Sequence, residues 1–261
     1  MSRALRILAL GLLAGFGGAP ARADIVVIGS NSPDAGIGTV MTNDQTLDIP
    51  AGASVRIMTP SGKTQSLTGP LKKAVQDLAG DGPADASLWK SVTTRLGSPE
   101  DLDEKYIGMT RGLAAKPPSP AAAPGPEAAR YKFSWVAVPV YADGDVCVDK
   151  GAKLSLTRAN TAKAERISIV DMTGGGKRSE VTFGAGAGSV PWPADLEPRT
   201  GTFAFQTPDQ PIRQIKLRLI APLPGADDAV RVLHGQRCEL QRNALLEALK
   251  DPAFQISSLA P

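Results

Sequence analysis

Residues 131–158, YKFSWVAVPVYADGDVCVDKGAKLSLTR, decide the fold. Apolar and polar residues alternate through Phe133, Trp135 and the valines that follow, break at Ala142-Asp143-Gly144, and resume at Val146, Val148, Leu154 and Leu156. A period of two interrupted by an Asp-Gly turn is the mark of half-buried strands joined by tight connections. The pattern recurs over 166–171, 179–183, 202–206 and 214–221, with the Gly174-Gly175-Gly176 tip as a second hairpin turn. With 132–141, 145–148 and 153–158 this makes seven short strands. The chain is therefore expected to be mainly β, with an antiparallel β-sandwich over residues 131–250.

The period changes after Ala221. Residues 227–234 and 236–249 read as helices, the second carrying Cys238, Leu245, Leu246 and Leu249 on one side. Cys147 lies between Val146 and Val148, whose side chains point to the other face of the sheet. These are the chain's two cysteines, and in an oxidising compartment they are expected to pair, stapling the closing helix to a strand. Closing a loop of about 90 residues stabilises by at most roughly 4–5 kcal/mol in the chain-entropy description. Residues 251–261 form a tail.

The compartment follows from the first 23 residues. Arg3 and Arg6 precede an apolar run from Ile7 to Phe16, and Ala21-Arg22-Ala23 supplies a small-residue cleavage pattern, so Asp24 is the expected mature N-terminus. The run is about ten residues, half of the roughly 20 that a membrane span requires. Periplasmic or secreted localisation is expected, with no transmembrane segment after cleavage. The formal charge of +3 comes from Arg3, Arg6 and Arg22; without them 26 basic residues face 26 acidic ones. A balanced chain lacks the electrostatic footprint of a nucleic-acid binder.

Residues 24–113 read as a smaller β-module with short helices. Ile25 to Ile28 begin a strand, and Leu47-Asp48-Ile49, Val55-Arg56-Ile57 and Leu67 are separated by turns at Pro50-Ala51-Gly52-Ala53 and Pro60-Ser61-Gly62-Lys63. Leu71, Val75 and Leu78 fall at helical spacing, as do Leu88, Val92 and Leu96 behind a cap at Asp85 or Ser87. Ser98-Pro99-Glu100-Asp101 is a third helix start. Residues 114–130, with five prolines among alanines, read as a linker between two domains.

The stretch LDIPAGASVRIMTPSGKTQSLTGP, residues 47–70, resembles the β-repeat module of FecR-like periplasmic proteins, a resemblance that extends over about residues 36–70. CVDKGAKLSLTR (147–158) and VPWPADLEPRTGTFAF (190–205), preceded by GMTRGL (108–113), are similar to an uncharacterised family of exported bacterial proteins. Those proteins join a FecR-like module to a cysteine-tethered β-domain, and the resemblance implies that architecture alone.

Few residues point to chemistry. Ser87 and Lys90 form an S-x-x-K spacing that puts a hydroxyl and an amine on one helix face, but S-D-N and K-T-G partners do not accompany it, and a helix cap is the simpler reading. His234 is the single histidine; with no second one to build a zinc set, it reads as a helix-end or surface residue. Asp143, Asp145 and Asp149 offer oxygens to calcium without the twelve-residue loop spacing. Gly174-Gly175-Gly176-Lys177-Arg178 offers amides to a phosphate but lacks a strand-to-helix context. Trp192 between Pro191 and Pro193 reads either as a ring on an unpaired edge, able to stack on a sugar or a partner side chain, or as a core plug. No metal or cofactor is expected. The expectation is a binding or scaffold protein without catalytic activity, with binding surfaces near Trp192 and Val55. It would engage another envelope protein or a cell-wall polymer. The alternative is a wall-directed hydrolase or transferase centred on Ser87 and Lys90.

Overall fold

The computed structural model describes residues 25–80, 82–96, 131–207 and 210–255. The expected leader, the helix start at Ser98, the linker over 114–130 and the end of the tail lie outside the described residues. Among the described residues strand makes up the larger part of the regular structure, with three short helices beside it.

The first six strands are β1 (Ile25–Ser30), β2 (Val40–Met41), β3 (Thr46–Ile49), β4 (Ser54–Met58), β5 (Thr64–Thr68) and β6 (Leu71–Ala74). An antiparallel sheet runs β2-β1-β4-β5, and β3 pairs with β6. Both expected turns form, closed by Ala53 N–H to Pro50 O at 3.1 Å and Gly62 N–H to Thr59 O at 2.9 Å. All of Ile25 to Ile28 is buried, because this sheet is covered on both sides. Ile25 and Val27 pack with Leu47, Ile49, Val55 and Ile57, whereas Val26, Ile28 and Met58 face the helices. The helical spacing of Leu71, Val75 and Leu78 misleads: Leu71–Ala74 is strand β6, followed by a single 3-10 turn at Val75–Asp77. A stretch confined between Pro70 and Gly80 is too short to hold a helix unaided, and β3 offers an edge that satisfies its backbone.

The second group is β7 (Ala137–Pro139), β8 (Gly144–Asp149), β9 (Ser155–Thr157), β10 (Glu165–Asp171), β11 (Arg178–Phe183), β12 (Ser189–Pro191), β13 (Gly201–Gln206) and β14 (Arg213–Ile220). Sheets ordered β11-β10-β13-β14-β8 and β12-β9-β7 enclose a core that includes Val138, Val148, Leu156, Ile169, Phe183, Phe203 and Leu217. Three features differ from the sequence reading. The β8–β14 and β7–β9 pairs are parallel. The Asp143-Gly144 turn carries the chain from one sheet to the other instead of closing a hairpin. The expected strand 132–141 shrinks to three residues, since Phe133 and Trp135 leave the sandwich for the helical core while Val138 and Val140 stay in it.

Among the described residues three helices stand beside the strands: α1 (Ala86–Leu96), α2 (Ala229–Gly235) and α3 (Glu239–Leu249). Leu88, Val92, Val230, Leu233, Leu245 and Leu246 gather around Phe133 and Trp135, whose rings meet edge to face at 5.1 Å. Cys238 precedes α3 instead of lying within it and is bonded to Cys147, with Cα atoms 5.9 Å apart. Gln241 lies one turn into α3, fully buried against the free edge of β8. Its amide accepts from Cys147 N–H at 2.6 Å and donates to Cys147 O at 2.5 Å and Ser134 O at 2.9 Å. The side chain thereby does for β8 what a neighbouring strand would do.

The far end of α3 is held by the first sheet. Arg56 of β4 donates to the carbonyl oxygens of Leu249, Asp251 and Phe254 at 3.0, 3.2 and 2.7 Å, satisfying acceptors that a helix end leaves open. Gly29 lies against the same place, where a Cβ would come within 2.2 Å of Leu249 O. The helices are thus anchored on the first sheet through Arg56 and on the sandwich through Cys238 and Gln241.

Candidate functional site

Ser87 and His234 are 147 residues apart in sequence and adjacent in space. Asp85 is the N-cap of α1: its Oδ1 accepts from the amides of Ser87 and Leu88, both at 3.0 Å, and from the Ser87 hydroxyl at 2.7 Å. His234, in the last turn of α2, puts Nε2 2.9 Å from Ser87 Oγ, and Arg242 of α3 puts a guanidinium nitrogen 2.8 Å from Nδ1. The residue types suggest a serine, histidine and aspartate centre, but the order of donors contradicts it.

A guanidinium can only donate, so Nδ1 accepts and the ring proton sits on Nε2. Nε2–H then donates to Ser87 Oγ, and the hydroxyl donates to Asp85. The chain runs from cation to carboxylate: Arg242, His234, Ser87, Asp85. A serine nucleophile needs the opposite, a free Nε2 lone pair to take its proton and a carboxylate on Nδ1 to stabilise the imidazolium. Here an arginine occupies the Nδ1 position, and the carboxylate holds the serine itself. The amide of Leu88 first, then the hydroxyl of Ser87, hold the Asp85 carboxyl below the ordinary aspartate range, with partial burial opposing them. Lys90 is exposed on α1. The arrangement fastens the start of α1 to α2 and α3, and Asp85, rather than Ser87, is the cap.

The other candidate clusters are also engaged. Asp143 is paired with Arg213 at 2.7 Å and accepts from Gln214 N–H at 2.8 Å. Asp145 accepts from Arg218 at 2.7 Å, and Asp149 from Gly151 N–H at 3.0 Å. Two of these carboxylates pin β8 to β14 instead of converging on one point. At the Gly174-Gly175-Gly176 loop an internal anion takes two amides, Asp171 Oδ1 accepting from Thr173 and Gly174 at 2.9 and 2.7 Å, and the Asp171 backbone carbonyl accepts from Gly176 at 3.0 Å. Arg199 closes the cluster with two bonds to Asp171 Oδ2, at 3.0 and 2.6 Å. Burial works to raise the Asp171 carboxyl, but Arg199 and the two amides outweigh it and hold the group below its ordinary value.

Trp192 and Val55, expected at binding surfaces, are 8% and 1% exposed. Trp192 is the core plug of the two readings: its ring meets Phe203 edge to face at 5.2 Å and its indole N–H donates to Leu196 O at 2.5 Å. Val55 packs with Ile25, Val27 and Ile57 in the core of the first sheet. Neither side chain is presented to a partner.

The concave surface lies elsewhere. A groove of about 310 Å³ crosses the outer face of the small sheet, lined by Tyr131, Phe133, Ala137, Pro139, Tyr141 and Thr157 among others. Alternation along β7 and β9 sends Val138 and Leu156 into the sandwich and turns Ala137, Pro139 and Thr157 outward, so the floor is made of small side chains between aromatic ones. Its size falls at the lower end of the roughly 300–1,000 Å³ of ligand clefts. Sequence reasoning missed this site because each lining residue, taken alone, is an ordinary strand or turn residue. The available signal was the density of Tyr131, Phe133 and Tyr141 in a chain with few aromatics.

Comparison with protein-family models, with curated proteins and with solved structures finds no match to the chain. Among the described residues no helix is long and apolar enough to cross a membrane. That observation and the disulfide are compatible with an exported protein.

Proposed function

We propose that the protein is an exported, periplasmic or secreted binding or scaffold protein without catalytic activity, and that the groove beside β7 is where it engages another envelope component. The groove carries this reading: it is open and aromatic, and lies on the outer face of a sheet fixed by the sandwich behind it. The donor order in the Arg242, His234, Ser87 and Asp85 chain supports a structural role for the nearest thing to a catalytic constellation. The leader over residues 1–23, the FecR-like resemblance near residues 36–70 and the paired cysteines support the envelope as the setting.

In-cell crosslinking of the tagged full-length chain, followed by mass spectrometry of what is trapped after export, tests the reading. A reproducible envelope protein or cell-wall polymer is expected, unchanged by Ser87→Ala. Failure to trap any envelope component contradicts the binding reading. A wall-directed activity of the wild-type chain that Ser87→Ala abolishes replaces it with the hydrolase or transferase alternative.

A further inference from the structure

Resting on the reading of the groove as the binding site, we infer that its partner is an extended, proline-rich peptide segment of another exported protein, with a carboxylate beside its prolines. Three ways of recognising a chain at a sheet edge leave different marks. Strand addition requires free backbone donors and acceptors along the edge. β7 is the edge of its sheet, and its Val136 O and Val140 N–H are spent on β9, bonded to Ser155 N–H and Thr157 O. On the outer side the Ala137 carbonyl already accepts from the Tyr131 hydroxyl at 3.1 Å, and Pro139 has no N–H to give. A ladder on this edge would therefore lack a donor at Pro139 and share its acceptor at Ala137 with Tyr131.

A glycan would need polar side chains free to bond its hydroxyls. Those in the groove are largely committed. Arg158 has its guanidinium bonded to Ala187 O, Glu165, Lys163 O and Gly184 O at 2.8–3.2 Å, and stacks 4.9 Å over the Phe183 ring. The Tyr141 hydroxyl donates to Glu165, and Tyr131 to backbone carbonyls.

What the groove still offers is apolar: the half-buried rings of Tyr131 and Tyr141 and a floor of Ala137 and Pro139. A polyproline II segment suits such a surface, since it has no internal backbone hydrogen bonds to disturb, is pre-ordered, and presents flat pyrrolidine faces every three residues. Charge adds a direction. Arg158 is neutralised by Glu165 at 3.2 Å, which leaves exposed Lys132 as the groove's cation without an ion-pair partner among the described residues. A partner carboxylate at that rim completes the match.

The test uses the mature, disulfide-bonded full chain and a fluorescein-labelled peptide of about ten residues with a Pro-x-x-Pro core and one flanking aspartate. Fluorescence anisotropy is expected to report saturable binding, weakened about two- to fivefold by Lys132→Glu, the size of an exposed ion pair. Ala137→Trp, which fills the floor from its outward side, is expected to abolish binding. Thermal melting checks that Ala137→Trp is folded, and Lys132→Glu, at an exposed position, keeps the test decisive if it is not. Absence of binding, or binding that neither variant changes, overturns the inference. An alternating-apolar strand peptide or a soluble peptidoglycan fragment that binds in its place, sensitive to Ala137→Trp, overturns the peptide class but leaves the groove as the binding site. If the in-cell crosslinking also traps no envelope component, the binding reading itself falls.

Discussion

Replacing Gln241 by methionine, which keeps the length of the side chain and removes its amide, should be among the most damaging single changes in the protein. Gln241 is fully buried and holds both the N–H and the C=O of Cys147, at 2.6 and 2.5 Å. Its second donor reaches Ser134 O at 2.9 Å, which also accepts from Tyr131 at 3.4 Å and so keeps a partner. The substitution therefore leaves two backbone groups buried without partners, at about 1–3 kcal/mol each, or about 2–6 kcal/mol together. For a protein of this size 1 kcal/mol moves the melting temperature by roughly 2–4 °C, so a fall of roughly 4–24 °C follows. Urea denaturation under oxidising conditions measures the loss with the disulfide intact in both proteins. Hydrogen exchange adds the location: the Cys147 amide should lose protection ahead of the β10 and β13 amides. A loss below about 0.5 kcal/mol, the range of an ordinary surface substitution, would refute the argument that Gln241 stands in for a strand.

Two further predictions concern Arg56 and the aspartates at positions 171 and 85. Arg56→Met removes the donor shared by the Leu249, Asp251 and Phe254 carbonyls; a loss of about 3 kcal/mol is expected from charged hydrogen bonds at a buried position, read by urea denaturation together with faster exchange at the end of α3. Asp171 and Asp85 are both held below the ordinary aspartate range in the folded chain. Each lowered group contributes stability that is full above the unfolded value, near pH 4, and is lost as pH falls through the lower folded value. The contribution of these two groups should thus be full from neutral pH to about pH 4 and be lost below it, with a shallower acid slope in Asp171→Asn, as measured by denaturation midpoints across that range.

Much of the fold is legible in the residues, because burial and period are local properties. The Ile25 to Ile28 run reads as a strand without alternation, which is what covering on both faces produces. The alternating segments of the sandwich follow from period two, and the Gly174-Gly175-Gly176 hairpin from its turn residues. Val75 and Leu78 were identifiable as core residues, but their spacing did not specify the backbone that buries them, which depends on the edge of β3. Pairing direction was out of reach for a similar reason: whether β8 meets β14 in parallel depends on how the chain crosses between sheets.

The site was less legible than the fold, since it depends on which atoms remain unpaired. Ser87, His234 and Asp143 look available in a sequence, and each is committed once Asp85, Arg242 and Arg213 fold around it. Trp192 could be read either way until Phe203 and Leu196 closed on it. Gln241 gives no sign in the sequence that it will serve as the neighbour of a strand 94 residues away. The groove likewise exists only after β7 and β9 pair in parallel and turn their small residues outward.

The most direct measurement places a photo-reactive side chain at position 132 or, separately, at position 90 in the exported chain in living cells, and compares what each traps. Lys132 stands at the groove and Lys90 on α1 beside the Ser87 cluster. The account predicts reproducible capture of one envelope component from position 132, lost when Ala137→Trp is added, and none from position 90. Capture from position 90 alone would contradict it and turn attention back to Ser87.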